Sequence, residues 1–598
     1  MCGIIGYTGY SGAKKKIIAG LEALEYRGYD SAGAKIGENI VKATGRVRNL
    51  DLELEKIQDS KIGIGHTRWA THGEVSRENA HPHKVGKITL VHNGIIENHM
   101  ELKRELLEEG VAFISTTDTE VACALVNKYY LLLGNIEEAI LKSMERFVGS
   151  YAFAIMVEED NESIYAVRYK SPLLIAKGKD GNYLASDMVA LLPFTKKYYR
   201  LKEREIAKIT PSTVKLCNTD ISTPMWELST LTGEGARKQG YDHFMLKEIM
   251  EEGEAIEKTI APRVENQIVS FKNDGLENGY FLDIDNIQII ACGSAMHAGL
   301  IGKSYIEKLT KVPTSVYIAS EYRYRPPITK DNTLAIFISQ SGETADTIAS
   351  LELAREKGVR CISIVNAQES TIARESDKVI YTYAGQEIAV ATTKGYITQV
   401  VALILLGIRL GYEQLTISLD KAKELTKGLQ ADAPNVINEA LLRRDEIKEI
   451  AKAICKSNDT FFIGRGIDYY LCMEGSLKLK EISYIHSEAY PAGELKHGTI
   501  SLIERGTPVI AIATENDLYD KTESNLREVR ARGALTVLIT NEKAKAPERS
   551  CDYLIKLSSH LPHFEAIIIL QLLAYEIARE RGCDIDKPRN LAKSVTVE

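Results

Sequence analysis

The segment Leu334-Ala-Ile-Phe-Ile-Ser339-Gln340-Ser341-Gly342-Glu343-Thr344 reads as an apolar strand that stops at a small polar residue, turns through serine and glycine, and enters a helix over 345–357. A short, unbroken apolar run bounded in this way is how a strand buried on both faces of a parallel sheet reads. Two similar runs accompany it, Ile287-Gln-Ile-Ile-Ala-Cys292-Gly-Ser294 and Ile362-Ser-Ile-Val-Asn366. All three recur downstream, as Val509-Ile-Ala-Ile-Ala-Thr514, Thr460-Phe-Phe-Ile-Gly464-Arg-Gly466 and Thr536-Val-Leu-Ile-Thr-Asn541. The spacings agree: 47 residues from Cys292 to Ser339 against 50 from Gly464 to Thr514, and 27 from Ser339 to Asn366 as from Thr514 to Asn541. One doubly wound α/β parallel-sheet subdomain present twice, over 246–425 and 440–584, accounts for this, with the join in the helical stretch between Leu415 and Lys452. Ligands of such sheets bind at the carboxyl ends of the strands.

Upstream the pattern changes. Short strands bounded by glycine and polar turns are expected at Ile62 to Gly65, Ile88 to His92, Tyr151 to Val157 and Ser163 to Arg168, with helices at Lys14 to Leu24, Asn98 to Glu109 and Thr119 to Leu133. This predicts an α+β domain over 2–225. The polar stretch from Leu231 to Gln239 falls in a linker, 226–245, and a helical run from His243 to Thr259 opens the next unit. Residues 585–598 form a C-terminal tail. Three units suit a chain of 598 residues, since one core seldom organises more than about 250 to 300.

Charge narrows the partners. Lys and Arg number 75 and Asp and Glu 82, a net charge of −7 without a block of like charges, which argues against nucleic acid or an anionic membrane as the main partner. Met1-Cys-Gly-Ile-Ile-Gly6 lacks the basic and apolar segments of a secretory signal. The most apolar runs, Val400 to Ile408 and Ala566 to Ala574, fall short of the roughly 20 residues that span a bilayer. A cytoplasmic protein is expected. Nine cysteines, an odd number without a C-x-x-C pair, read as reduced thiols; no metal site and no cofactor are expected.

Cys2 stands out in the first third. Removal of Met1 would leave it with a thiol and a free α-amine of pKa near 8, so one residue could supply nucleophile and base. Downstream lie Arg27-Gly-Tyr-Asp-Ser-Ala-Gly33, His66-Thr-Arg-Trp-Ala-Thr-His-Gly73, His92-Asn-Gly94 and Thr116-Thr-Asp-Thr-Glu120, clusters that can orient a substrate and bind an oxyanion. With them the region resembles the class II glutamine amidotransferase domain, an N-terminal-nucleophile fold of stacked sheets between helices. The resemblance implies that Cys2 is the nucleophile, that Arg68 clamps the glutamine carboxylate and that Asp118 meets its amine. It further implies that Thr71 and His72 line the pocket, that the Asn93 side chain and the Gly94 N–H form the oxyanion hole, and that Trp69 gates ammonia transfer.

The turn from Ser339 to Thr344 offers hydroxyls and free N–H groups at a helix N-terminus, an anion site that needs no net positive charge. The matching Thr514-Glu515-Asn516 lacks it, which favours use by a ligand, and Ser294 occupies the corresponding place on the neighbouring strand. This half resembles the paired sugar isomerase domains that bind phosphosugars. The fusion of both halves, together with Leu477-Lys478-Leu-Lys-Glu481-Ile-Ser-Tyr-Ile-His486, Gly493-Glu-Leu-Lys-His497-Gly498 and the tail from Pro588 through Lys593 to Glu598, is similar to the isomerising glutamine:fructose-6-phosphate aminotransferases, or glucosamine-6-phosphate synthases, over essentially the whole chain. That similarity implies conversion of L-glutamine and D-fructose 6-phosphate to L-glutamate and D-glucosamine 6-phosphate, by a homodimer, at the start of amino-sugar synthesis. It implies a phosphate held by Ser294, Ser339, Gln340, Ser341 and Thr344, ring opening by His497, a Schiff base on Lys593 that ammonia displaces, and a proton carried between C1 and C2 by Glu481. Lys478 would stabilise the enolate-like intermediate; three residues from Glu481, it shares a helical face with it. Val595 and Val597 predict a docked tail in which desolvation lowers the Lys593 amine.

The chain departs from that pattern at Ala295, where a second hydroxyl is common, at Glu252-Gly253 for Gln-Pro, and at Lys394-Gly395-Tyr396 for Lys-Ala-Phe. Two other readings stay open at this point. One is a glutaminase or an isomerase whose other half is vestigial. The other is a phosphosugar-binding regulator, which would need neither Glu481 nor Lys593.

Overall fold

The computed structural model describes residues 2–70, 73–229, 238–325, 327–368, 370–541, 544, 550–557 and 560–596. The chain forms two compact units, Met1–Ala236 together with Ala592–Glu598, and Arg237–Leu591.

The first unit stacks two antiparallel sheets between helices. An eight-stranded sheet runs in the order Glu227–Leu228, Lys197–Arg200, Leu174–Lys177, Gly181–Ala185, Gly3–Gly9, Ile62–Arg68, Ser31–Ile36, Asn39–Thr44; a six-stranded sheet runs Val214–Leu216, Ile206–Ile209, Ile164–Tyr169, Gly149–Val157, Ile88–Ile96, His83–Val85. Alternation along a strand sends successive side chains to opposite faces. Ile4 therefore joins Ile62, Ile64, Val91, Ala152 and Ile164 in one core layer. Its neighbours Ile5 and Tyr7 pack with Ile17 and Leu21 of the helix Lys14–Leu24. The helices His99–Glu108, Asp118–Leu133 and Ile136–Met144 cover the six-stranded sheet. The strands expected at 62–65 and 88–92 are present but run on to Arg68 and Ile96. Their polar last residues, which read as loop, are where the site lies.

The second unit holds two five-stranded parallel sheets of one topology. The first runs Thr314–Ile318, Asn286–Ala291, Thr333–Ser339, Arg360–Val365, Lys378–Tyr381 and the second His486–Pro491, Asp459–Gly464, Pro508–Ala513, Leu535–Asn541, Tyr553–Leu557. The repeat seen in the sequence is thus a repeat of strand order. One apolar core runs through both sheets and the helices Lys394–Glu413, Leu419–Leu441 and Pro562–Glu580. Lys394–Glu413 is long and apolar enough to cross a bilayer, yet 94% of its apolar window is buried in the protein.

Two expectations are corrected. The helical run from His243 to Thr259 divides into Phe244–Met250 and Glu252–Ile260. Between them, the Glu251 carboxylate accepts from Lys394 Nζ at 2.8 Å and lies 3.5 Å from Lys247 Nζ. In the tail, Val595 is 56% exposed: a lone apolar side chain at a chain end does not dictate burial. Val597 lies outside the described residues.

Candidate active site

In the first unit, the strand Gly3–Gly9 pairs with Ile62–Arg68 so that Gly3 faces Thr67. This register brings Cys2 to the carboxyl end of the neighbouring strand. Its Sγ accepts the Trp69 N–H at 3.3 Å and lies 3.5 Å from the Trp69 carbonyl. Burial pushes the Cys2 thiol up, with Arg68 among the groups opposing the shift. Asn93 reaches across from the other sheet, its Nδ2 donating to the Cys2 carbonyl at 3.0 Å. Gly94 follows at φ +132°, where an added Cβ would stand 2.1 Å from the Ser150 carbonyl oxygen, so only glycine fits.

Arg68, 3% exposed, donates to the carbonyls of Glu74 (3.1 Å) and Gly73 (3.0 Å). Asp118 opens the helix Asp118–Leu133, and its Oδ2 accepts the Ile96 N–H at 2.9 Å. Trp69 meets Tyr29 edge-on at 5.9 Å, and the next N–H, of Ala70, donates to Asp30 at 2.9 Å. Thr71 and His72 lie outside the described residues.

In the second unit, the chain leaves Asn286–Ala291 and Thr333–Ser339 in opposite directions across the first sheet. This is the switch point at which such folds bind ligands. After Thr333–Ser339 the turn is tight: the Gly342 N–H donates to Ser339 Oγ at 3.0 Å, Ser339 and Thr344 share a 3.0 Å hydroxyl bond, and the Glu343 N–H donates to Ser341 Oγ at 3.2 Å. The Gln340 carbonyl accepts from the N–H groups of Asn366 and Ala367, both at 3.2 Å, anchoring the turn to the next strand. The helix Ala345–Glu356 then points its N-terminus at the turn. In the second sheet the equivalent place is filled. Asp468 accepts from the Thr514 N–H (2.8 Å), the Thr514 hydroxyl (2.5 Å) and the Glu515 N–H (3.3 Å).

The helix Ile467–Ser483 carries the charged groups. Lys478, 1% exposed, lies 2.6 Å from Glu481 Oε2 and 3.5 Å from Glu474 Oε1. Burial alone would lower the lysine, but Glu481 and Glu474 outweigh it and hold the ammonium up. Glu474 is depressed despite its burial, by Lys478, His297 and Ser294. His297 Nδ1 lies 2.7 Å from its Oε2, and Ser294 Oγ donates to its Oε1 at 2.8 Å. The two copies of the sheet thus meet through a cluster of buried charge.

A glutamine amidotransferase domain model matches residues 66–193, and a SIS domain model matches 280–409 and again 453–579. Over 612 residues, all of both chains, the protein is 46% identical to a glutamine–fructose-6-phosphate aminotransferase (isomerizing) of Clostridium tetani. The corresponding protein of Caldanaerobacter subterraneus is 47% identical over 613 residues, again all of both chains. The chain belongs to this family. It is accordingly an enzyme of the isomerising glutamine–fructose-6-phosphate aminotransferase family. Among solved structures, the C-terminal domain of the Francisella tularensis aminotransferase matches with a TM-score of 0.56 and 39% identity, covering 59% of this chain and all of that one.

The aminotransferase brings Cys2, Arg68, Trp69, Asn93, Gly94 and Asp118 together in its first unit, and Ser294, Lys478 and Glu481 in its second. The Ser294 hydroxyl donates to Glu474, which stands one helical turn before Lys478 but belongs to no motif of its own. His297, 177 residues from Glu474, left no signal in the sequence. His497 closes the short turn Glu494–His497, is exposed, and makes no hydrogen bond or ion pair with the Glu474–Lys478–Glu481 group. Lys593 belongs with the first unit and is half-buried.

Proposed function

We propose that the aminotransferase hydrolyses glutamine at Cys2 and aminates the sugar through Lys593. In the first step the Cys2 sulfur adds to the glutamine amide carbonyl, and its proton passes to the α-amine freed by loss of Met1. The oxyanion is met by Asn93 Nδ2–H and the Gly94 N–H. The C–N bond breaks with proton return to nitrogen, and water then cleaves the thioester to glutamate. Arg68 holds the substrate carboxylate and Asp118 its ammonium, with Thr71 and His72 beside them. Ammonia transfer is gated by Trp69.

For the sugar, the donors of Ser339, Gln340, Ser341 and Thr344 hold the phosphate, with Ser294 beside them. His497 opens the ring, and the Lys593 amine condenses with C2, expelling water. Ammonia displaces the lysine, and Glu481 moves a proton from C1 to C2 while the Lys478 ammonium steadies the developing enolate-like charge. The observation that carries this reading is Lys478 buried between two carboxylates. A regulator that only binds phosphosugar has no use for so costly an arrangement.

The active divisions proposed are 2–225 for glutamine, 246–425 and 440–584 for the sugar, a linker at 226–245 and a catalytic tail at 585–598. Nine free thiols support a reducing, cytoplasmic location. The homodimer follows from the family resemblance, and light scattering tests it. Mass spectrometry of products from glutamine and fructose 6-phosphate, supplied together and then separately, tests the whole reading. Wild type should form glucosamine 6-phosphate only with both. Lys593→Arg should release glutamate but no amino sugar, and amino sugar from that variant at a substantial rate would refute the Schiff base.

A further inference from the structure

We infer that His66 is a positioning residue for the glutaminase reaction: its Nε2–H fixes which face of the Asn93 amide is turned toward Cys2. The inference rests on the proposed oxyanion role of Asn93.

Hydrogen-bond chemistry alone settles the orientation. His66 Nε2 lies 2.9 Å from the His92 backbone carbonyl and 3.1 Å from Asn93 Oδ1. A carbonyl oxygen only accepts, so Nε2 carries the hydrogen. The Asn93 atom sharing that hydrogen must then be its oxygen, and the amide nitrogen is left to face the other way. There it donates to the Cys2 carbonyl at 3.0 Å, an atom that also only accepts. Rotating the amide by half a turn would oppose N–H to N–H at one end and oxygen to oxygen at the other. It would also put a lone pair where the oxyanion forms.

His66 suits this task. The ring is fully buried, and Nδ1 has no partner, so the proton has no competing place. It stacks on His81 at 4.0 Å, and His81 Nδ1 in turn accepts the His92 N–H at 3.3 Å. Burial, with His92 and Arg68 adding to it, holds the His66 ring far below the usual range, at about 3. The imidazole therefore stays neutral, one donor and one acceptor, wherever the enzyme works.

The test compares His66→Gln and His66→Met in the full-length protein, because the two side chains have similar volume but only glutamine can donate an N–H. Glutamate release is followed with glutamine varied, and each change is repeated in Asn93→Ala. His66→Met should lose about tenfold to a hundredfold in kcat with KM within about twofold, and His66→Gln should recover most of the loss. In the Asn93→Ala background, His66→Met should lower kcat by less than about twofold, since coupled residues are not additive. Alkylation of Cys2 by iodoacetamide, which forms no oxyanion, should keep its rate and so report an intact site. Equal kcat for the Gln and Met variants would overturn the inference, as would an undiminished Met effect in Asn93→Ala. An Asn93→Ala enzyme with full kcat would instead refute the oxyanion reading, and the positioning role with it.

Discussion

Replacing Gly342 by alanine should loosen the sugar phosphate without touching glutamine chemistry, and the structure sets the scale. The residue has φ +63°, and a Cβ built on it would stand 1.9 Å from Ser370 Oγ and 2.4 Å from Ser370 Cβ. The left-handed backbone costs a non-glycine residue about 1 to 2 kcal/mol, and an overpacked contact with buried Ser370 adds about 1 to 3 kcal/mol. Either the turn carries that strain or it opens. If it opens, the Gly342 N–H leaves Ser339 Oγ, the donors splay, and phosphate binding must close them again. A burden of about 2 to 5 kcal/mol then appears as a rise in fructose 6-phosphate KM of roughly thirtyfold to several thousandfold. Isomerisation of fructose 6-phosphate and glutamate release without sugar are measured side by side; only the first should change. Adding Ser370→Gly removes the clash and leaves the backbone term, so the double variant should regain about tenfold or more. An unchanged sugar KM accompanied by a lowered melting temperature would refute the opening of the turn and show that the strain is carried in place. A double variant no better than the single would refute the steric account.

Three further outcomes are expected. Cys2→Ala should abolish glutamate release and glutamine-dependent amino-sugar formation while sparing sugar isomerisation; retained glutamate release would remove Cys2 as nucleophile. Glu474→Gln should lower isomerisation at least about tenfold, because the loss of one carboxylate pulls the Lys478 ammonium down and unpairs His297; a normal rate would show that Glu481 suffices to hold the lysine. Glu252, fully buried, is raised well above the usual carboxylate range by burial, which the Gln571 side chain opposes only in part. A carboxyl raised on folding contributes stability that is complete below its unfolded value and lost as pH climbs through its folded value. Glu252→Gln should therefore raise the melting temperature more at pH 8 than at pH 5, and equal gains at both would show Glu252 unprotonated in the fold.

The parallel sheets were legible because strands covered on both faces must be apolar throughout, so each wrote itself as a contiguous run and the repeat aligned run on run. The antiparallel half was legible in its helices and strand centres. Its strand ends were not, since Arg68, Asn93 and Gly94 are chosen for chemistry and break the alternation that marks a strand. Lys478 and Glu481 could be paired because a helix puts them on one face. The contacts of Glu474 with His297 and Ser294 could not, because tertiary packing alone joins helices so distant in the chain. The break at Glu251 escaped notice for the same reason: Lys394, which holds it, lies 143 residues away.

Asp468 has a consequence for stoichiometry. Duplication of a ligand-binding sheet ordinarily yields two equivalent receptors. Here one copy answers its own backbone donors with a carboxylate supplied from within the chain, while the turn of the other is built from the hydroxyls of Ser339, Ser341 and Thr344. Saturation should therefore come at one phosphosugar per chain. On the proposed phosphate site, the silenced copy is released from ligand duty, and its helix Ile467–Ser483 carries Lys478 and Glu481 instead. The asymmetry turns a pair of receptors into a receptor and a reagent.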